Sequence, residues 1–139
     1  MSFLLDTNVV SEWTRPQPDP GVVAWLADVD EDRVFVSVIT LAELRYGVER
    51  LPAGKRRQRL DVWLDAELPL RFEGRVLLVD VEVADEWGRT ISRSESAGRP
   101  MNSMDGLIAA TATAHAMTLV TRNEADFKHA VKDIVNPWR

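Results

Sequence analysis

Phe3-Leu4-Leu5-Asp6-Thr7-Asn8 opens the chain with a short apolar run that closes on an acid. An apolar run of this length, bounded by polar residues, reads as a strand buried on both faces, as central strands of parallel sheets are. Asp6 then stands at the strand's carboxyl end, the edge of an open α/β sheet at which ligands bind. Two readings follow. If the fold brings more acids to that edge, Asp6 anchors a metal site; if it does not, Asp6 caps the next helix.

Moving outward, Val9, Val10 and Trp13 recur at helical spacing until Pro16, Pro18 and Pro20 impose a rigid loop. Asp19-Pro20 is an N-cap and N1 pair that opens a second helix through Val22, Val23, Trp25 and Leu26. The β-branched stretch Arg33–Val38 predicts a second strand. Thr40 is expected to start a helix along Leu41, Leu44, Val48 and Leu51, broken at Pro52-Ala53-Gly54, with another helix from about Lys55 to Leu68. Val76–Val79 predicts a third strand, with Asp80 capping an amphipathic segment through Val83, Trp87 and Ile91. Ser103 is expected to cap an Ala-rich helix from Leu107 to about His115. Thr118–Thr121 predicts a fourth strand, Asn123–Ala130 a short helical piece, and Ile134-Val135 an edge strand. Strands alternating with helices mean an α/β fold, a mostly parallel central sheet with helices on both faces. No repeat or linker divides residues 1–139, which read as a single domain.

Composition narrows the function. There is no Cys and only two His, so disulfides, thiolate sites and a His-rich zinc site are out of reach. Asp6 interrupts the N-terminal apolar run and no stretch approaches a membrane span, so the expected location is the cytoplasm, with no membrane partner. A formal net charge of −5 weighs against coating nucleic acid through bulk charge, but leaves room for a local basic patch beside a metal.

Singly, each acid has a structural explanation. Asp6 suits an N-cap, and Thr40-Leu41-Ala42-Glu43 fits a capping box in which the glutamate bonds back to the cap. Asp105 falls in a first helical turn, where a carboxylate favours the dipole, and Asn123 and Asp126 suit caps of the last helical piece. Together they point elsewhere. Asp6 and Asn123 end strands, Glu43 follows the next strand, and right-handed crossovers bring such positions to one sheet edge. Asp105 joins them if its helix starts at that edge. Several carboxylates in one place repel, and a hard divalent cation such as Mg²⁺ or Mn²⁺ relieves that repulsion.

Other chemistries lack their residues. Gly54-Lys55 has neither the upstream Gly nor the following Ser/Thr of a phosphate loop. No Gly-x-Ser-x-Gly elbow is present, and Asp6-Thr7-Asn8 lacks the second aspartate of a haloacid-dehalogenase-type phosphatase. Trp25, Trp63 and Trp87 sit at amphipathic spacings that suit a core better than a base-stacking platform. Lys55-Arg56-Arg57-Gln58-Arg59 is the one basic run, with Arg45 and Arg50 before it. Alone it reads as a solvated helix face; beside an acidic metal site it becomes a candidate rail for a phosphate backbone.

The motifs Leu4-Leu5-Asp6-Thr7-Asn8-Val9-Val10-Ser11-Glu12 and Thr40-Leu41-Ala42-Glu43-Leu44 with Gly47 come first. Asp105-Gly106-Leu107-Ile108-Ala109-Ala110-Thr111-Ala112, Leu119-Val120-Thr121-Arg122-Asn123 with Asp126-Phe127, and Asn136-Pro137-Trp138 follow in order. The set spans nearly the whole chain and resembles a PIN domain, specifically a VapC-like toxin nuclease near the FitB subgroup. The resemblance implies a three-layer α/β/α fold and a Mg²⁺- or Mn²⁺-dependent endoribonuclease. It assigns Asp6, Glu43 and Asp105 as metal-binding acids and Thr7 as the hydroxyl supporting the first. Some relatives carry Asp after Thr-Arg; here Asn123 stands there, with Asp126 one turn later, and these two are the candidate further ligands. Arg45, Arg56, Arg57 and Arg122 are the candidate substrate contacts. The resemblance further implies RNA hydrolysis by a water positioned at the metal, a homodimer, and silencing by a small VapB/FitA-like antitoxin. Two other readings stay open: a non-catalytic PIN-like module that binds RNA or protein, sustained by Asn123, and a phosphoryl-receiver-like domain with Asp80 as acceptor. The latter needs an acidic pair after the first strand and a lysine after the last main one, and has neither.

Overall fold

The computed structural model describes residues 1–139. Its elements, in chain order, are β1 (Phe3–Leu5), α1 (Thr7–Glu12), α2 (Pro20–Asp28), β2 (Val34–Ser37), α3 (Val38–Glu49) and α4 (Lys55–Val62). α5 (Leu68–Arg71), β3 (Val76–Leu77), α6 (Val81–Ser96), α7 (Ser103–Ala114), β4 (Thr118–Val120), α8 (Glu124–Phe127) and β5 (Ile134–Val135) complete it. The five strands lie in the order β3-β2-β1-β4-β5, and every pair is parallel. β1 is central, with Phe3 opposite both Val34 and Thr118. From β1 the chain winds outward first through β2 and β3, then through β4 and β5. The β1/β4 junction is therefore the topological switch point, where the crossovers on either side diverge and leave a crevice beyond the strand ends.

Alternation along β1 builds the layers. Leu5 joins Val9, Val10, Val22, Val36, Leu68 and Phe72 on one face of the sheet, while Leu4 joins Ile108, Ala109, Leu119 and Phe127 on the other. Two of the three tryptophans at core spacings serve these cores as expected: Trp25 meets Phe3 edge-on with centroids 5.1 Å apart, and Trp63 packs on the first cluster, whereas Trp87 joins neither and lies against the start of α7. No helix is long and apolar enough to cross a membrane.

The caps at Asp19 and Asp80 are present; Asp19 accepts from Gly21 N and Val22 N, and Asp80 from Val83 N. Four local expectations need correction. α3 begins at Val38, not Thr40, because Ser37 ends β2 in an extended conformation and its hydroxyl accepts from Ile39 N at 3.0 Å. Tertiary context thus overrides the β propensity of Val38-Ile39. α7 is capped by Asn102 in place of Ser103, its side chain accepting from Asp105 N. The helix expected over Lys55–Leu68 passes through a widened π turn at Trp63–Glu67 before α5. Pro69 has no N–H to return to the preceding turn, which favours such a distortion. β3 stops at Leu77, leaving Leu78 and Val79 exposed.

Candidate active site

Asp6 fulfils the cap reading and stands at the strand-end edge that the other reading requires. It caps α1, with Oδ1 accepting from Thr7 N at 2.8 Å, and it is 4% exposed at the switch point. The Thr121 hydroxyl, just past β4, donates to Asp6 Oδ2 at 2.8 Å, and Asn8 Nδ2 lies 3.3 Å from the same oxygen. Both carboxylate oxygens are thereby fixed by groups from the two central strands' ends.

Thr7 supports the first acid only through its backbone N–H; contrary to expectation, its side chain holds the second acid. Its hydroxyl donates to Glu43 Oε1 at 2.6 Å and lies 3.2 Å from Thr40 Oγ1. The capping box therefore does not form: Glu43, in the second turn of α3, turns to α1 instead of back to its own helix end. Thr40 is fully buried between them. The third acid is steered by its cap, as Asn102 Nδ2 donates to Asp105 Oδ2 at 2.9 Å. Gly106 beside it lets α7 lie close on α6, since a Cβ there would come within 2.6 Å of Ile91 Cδ1 and 3.0 Å of Trp87 Nε1. Trp87 donates its indole N–H to Ser103 O at 3.2 Å, tying the start of α7 to α6.

The electrostatics show which acids meet. Burial pushes the Asp6 carboxyl up to about 6, against the lowering bonds from Thr121 and Thr7, and the charges of Asp105 and Glu43 push it further the same way. Asp105 is also raised, first by burial and then by the charge of Asp126. Glu43, Asp6, Asp105 and Asp126 thus form a continuous acidic path. None of the ion pairs involves any of the four. Asp105 and Asp126 also line an open cleft of about 500 Å³.

This donor set fits a hard divalent cation: oxygen only, anionic, partly buried and unneutralised. No three acids are drawn together as a ready-made cage. Mg²⁺ does not need one, because it retains several waters and takes one or two carboxylates directly.

The remaining sequence candidates are placed as follows. Asn123 occupies the cap position of α8, makes no side-chain cap bond, and receives its backbone anchor from Thr121 Oγ1 at 3.0 Å. Arg45 is held by Asp61 at 2.8 Å and by Asp65, and Arg57 by Glu49 at 2.7 Å and Leu51 O at 3.1 Å. Their charges are committed within α3, α4 and the π turn. Arg56 is exposed and forms no ion pair. Arg122 lies over the Trp138 ring, 5.6 Å from its centroid, on the side of the proline loop. Sequence reasoning did not single out Thr121, Asn8 and Asn102 as partners of the acids, nor Arg99, Lys128 and His129 in the cleft. Only Thr121 and Asn8 carried a signal, being polar residues next to strand ends at the predicted edge.

Residues 3–133 match the PIN domain family. The chain belongs to that family. Over 136 residues it is 38% identical to VapC ribonuclease Y4jK of Sinorhizobium fredii, covering 98% of this chain and 97% of the relative. It is 42% identical to toxin FitB of Neisseria gonorrhoeae over 136 residues, 98% of each chain. The crystal structure of FitAcB from that organism aligns with a TM-score of 0.92 over 99% of both chains. A member of the VapBC family of toxin-antitoxin systems, VapBC-5 from Mycobacterium tuberculosis, aligns at 28% identity with a TM-score of 0.71, over 97% of this chain and 98% of that one. The all-parallel sheet with helices around it is the PIN-like α/β/α fold that the motifs implied.

Proposed function

We propose that this PIN-domain chain is a metal-dependent endoribonuclease toxin, held in check by a cognate VapB/FitA-like antitoxin and active as a homodimer. The observation that carries the reading is the buried, unneutralised Asp6, fixed at both oxygens at the switch point, raised chiefly by burial and further by the charges of Asp105 and Glu43. A structural cap has no need of two further acids beside it. The names of the relatives, ribonuclease and toxin, support the same reading, and exposed Val62, Leu70, Leu78 and Val81 offer apolar area for a second copy.

A bound Mg²⁺ or Mn²⁺ supplies the positive charge and Lewis acidity that phosphodiester hydrolysis requires. Asp6, Glu43 and Asp105 would hold it, with Asp126 and Asn123 flanking. The chain's own contribution is preorganisation. Thr7 and Thr121 prevent the Asp6 carboxylate from rotating, Thr7 aims Glu43, and Asn102 occupies one oxygen of Asp105 so that the other remains available. The purified chain is expected to cleave single-stranded RNA with Mg²⁺ or Mn²⁺ and to stop on addition of EDTA. Cleavage that persists in EDTA would refute metal dependence, and RNA binding without cleavage under any divalent ion would favour a non-catalytic module.

Asn123 offers a second test. Its exposed amide makes no cap bond, so Asn123→Asp adds a charge without removing an internal contact. Calorimetric titration is expected to show tighter Mn²⁺ binding by the variant. Unchanged or weaker binding would place this residue outside the site.

A further inference from the structure

The cleft that holds Asp105 and Asp126 is also lined by groups of opposite charge. Arg99, Lys128 and His129 line it, and neither Arg99 nor Lys128 forms an ion pair with any carboxylate, those in the cleft included. The nearest group to the Arg99 guanidinium is another base: Nη1 lies against the His129 ring, 2.5 Å from Nδ1 and 2.7 Å from Nε2. Desolvation and the charges of Arg99 and Lys128 hold that imidazole below its ordinary value. Acids and cations share the cleft without pairing, so each set is left to find its own counter-ion.

Both cations are rigidly mounted. α6 ends in a Schellman turn: Gly98 adopts φ +70, its N–H returns to Glu95 O at 3.0 Å, and Arg99 N returns to Ser94 O at 2.8 Å. Arg99 is thus folded back over the end of α6. Lys128 closes α8, with its N–H on Glu124 O at 2.9 Å and the fully buried Phe127 beside it as an anchor. By contrast, the basic candidates Arg45 and Arg57 are already paired.

We propose that Arg99 and Lys128, with His129 beside Arg99, form a phosphate-binding wall that seats a single-stranded RNA backbone against the Asp105–Asp126 side of the site. A phosphodiester suits both sets of charges: its anionic oxygens meet the cations, and the acids are left to a metal. An open cleft lets a polymer run through, and contacts to phosphate carry no base information. This proposal rests on the nuclease reading, but it is tested without catalysis.

The test is binding of the full-length chain to a fluorescent single-stranded oligouridylate across a salt series, in EDTA and again in Ca²⁺. Arg99→Gln and Lys128→Gln are each expected to weaken binding and to flatten the plot of log affinity against log salt by about 0.7 per lost contact. The double variant should flatten it by about twice that. Arg99→Lys retains the charge and most of the slope, which separates lost charge from a damaged α6 terminus. Arg89→Gln, removing an exposed α6 cation paired to Asp85, should change little. Slopes equal to wild type in both single variants, or no RNA binding by wild type in either buffer, would overturn the wall. A chain that binds as described yet cleaves nothing with Mg²⁺ or Mn²⁺ keeps the wall and loses the nuclease reading; a chain that cleaves while its variants keep the wild-type slope does the reverse.

Discussion

Asp6→Asn is expected to abolish metal-dependent cleavage and, without metal, to make the protein more stable above pH 6. Activity should fall by more than about 100-fold, beyond the 10- to 100-fold typical of groups that only orient a metal ligand. Stability moves the other way. The Asp6 pKa in the fold lies above its ordinary value of 3.8, at about 6, so the folded chain binds more protons than the unfolded one between those pH values. Its contribution to stability is complete below pH 3.8 and is lost as the pH rises through 6. An amide has no charge to bury and keeps an acceptor for Thr7 N, and so escapes that loss, although its NH₂ cannot accept from the Thr121 hydroxyl and part of the gain is given back. At pH 8 in EDTA the variant should therefore gain up to about 3 kcal/mol over wild type, and at pH 4 almost nothing. Saturating Mg²⁺ should reverse the order, because binding to the native state stabilises only the chain with the site intact. Urea denaturation at the two pH values, with and without metal, measures all of this. A variant less stable by the same amount at both would return Asp6 to the role of a cap.

Phe127→Ala should produce one of the largest losses of stability from a single core change, alongside Phe72→Ala. Phe127 is fully buried in the cluster of Leu4, Ile108, Leu119 and Val131, and truncation of such a ring costs about 3–5 kcal/mol. At about 2–4 °C per kcal/mol for a chain of this size, a melt should shift by about 10 °C. The effect should also reach the site, because α8 is only Glu124–Phe127 and carries Asp126 next to the anchor. Metal affinity measured well below the melting temperature should fall with the ring. An unchanged affinity would show that Asp126 takes no part.

What was legible in the sequence was local. Asp19-Pro20 and Asp80 announce helix starts because a cap acts within three residues, and the runs in β1, β2 and β4 announce strands because a doubly covered parallel strand has only apolar neighbours. The acids Asp6, Glu43 and Asp105 were legible through strand-end positions and family motifs, and they sit close enough for Asp105 and Glu43 to raise Asp6. What was hidden is pairing across the fold. Glu43 had a good partner in its own helix end and instead took Thr7, across 36 residues. Arg45 and Arg57 looked free until α4 folded back and brought Asp61 and Asp65 to one and left Glu49 beside the other. Arg99 gave no signal at all, because nothing in its neighbourhood says that α8 will deliver Lys128 and His129 to the same cleft.

The position of β1 at the centre of the sheet sets a timetable. β1 is made first, yet one of its edges pairs with β4, where Phe3 meets Thr118, and Asp6 Oδ2 waits for the hydroxyl of Thr121. Loop closure over such a span must precede any reward from the contacts, which makes it a late event in folding. During synthesis, Asp6 and Glu43 emerge early and stand in water as ordinary carboxylates, with half of the sheet and two of the acids still unmade. The acidic cluster is completed only by the final quarter of the chain, so a truncated or stalled product carries Asp6 and Glu43 without Asp105 and Asp126.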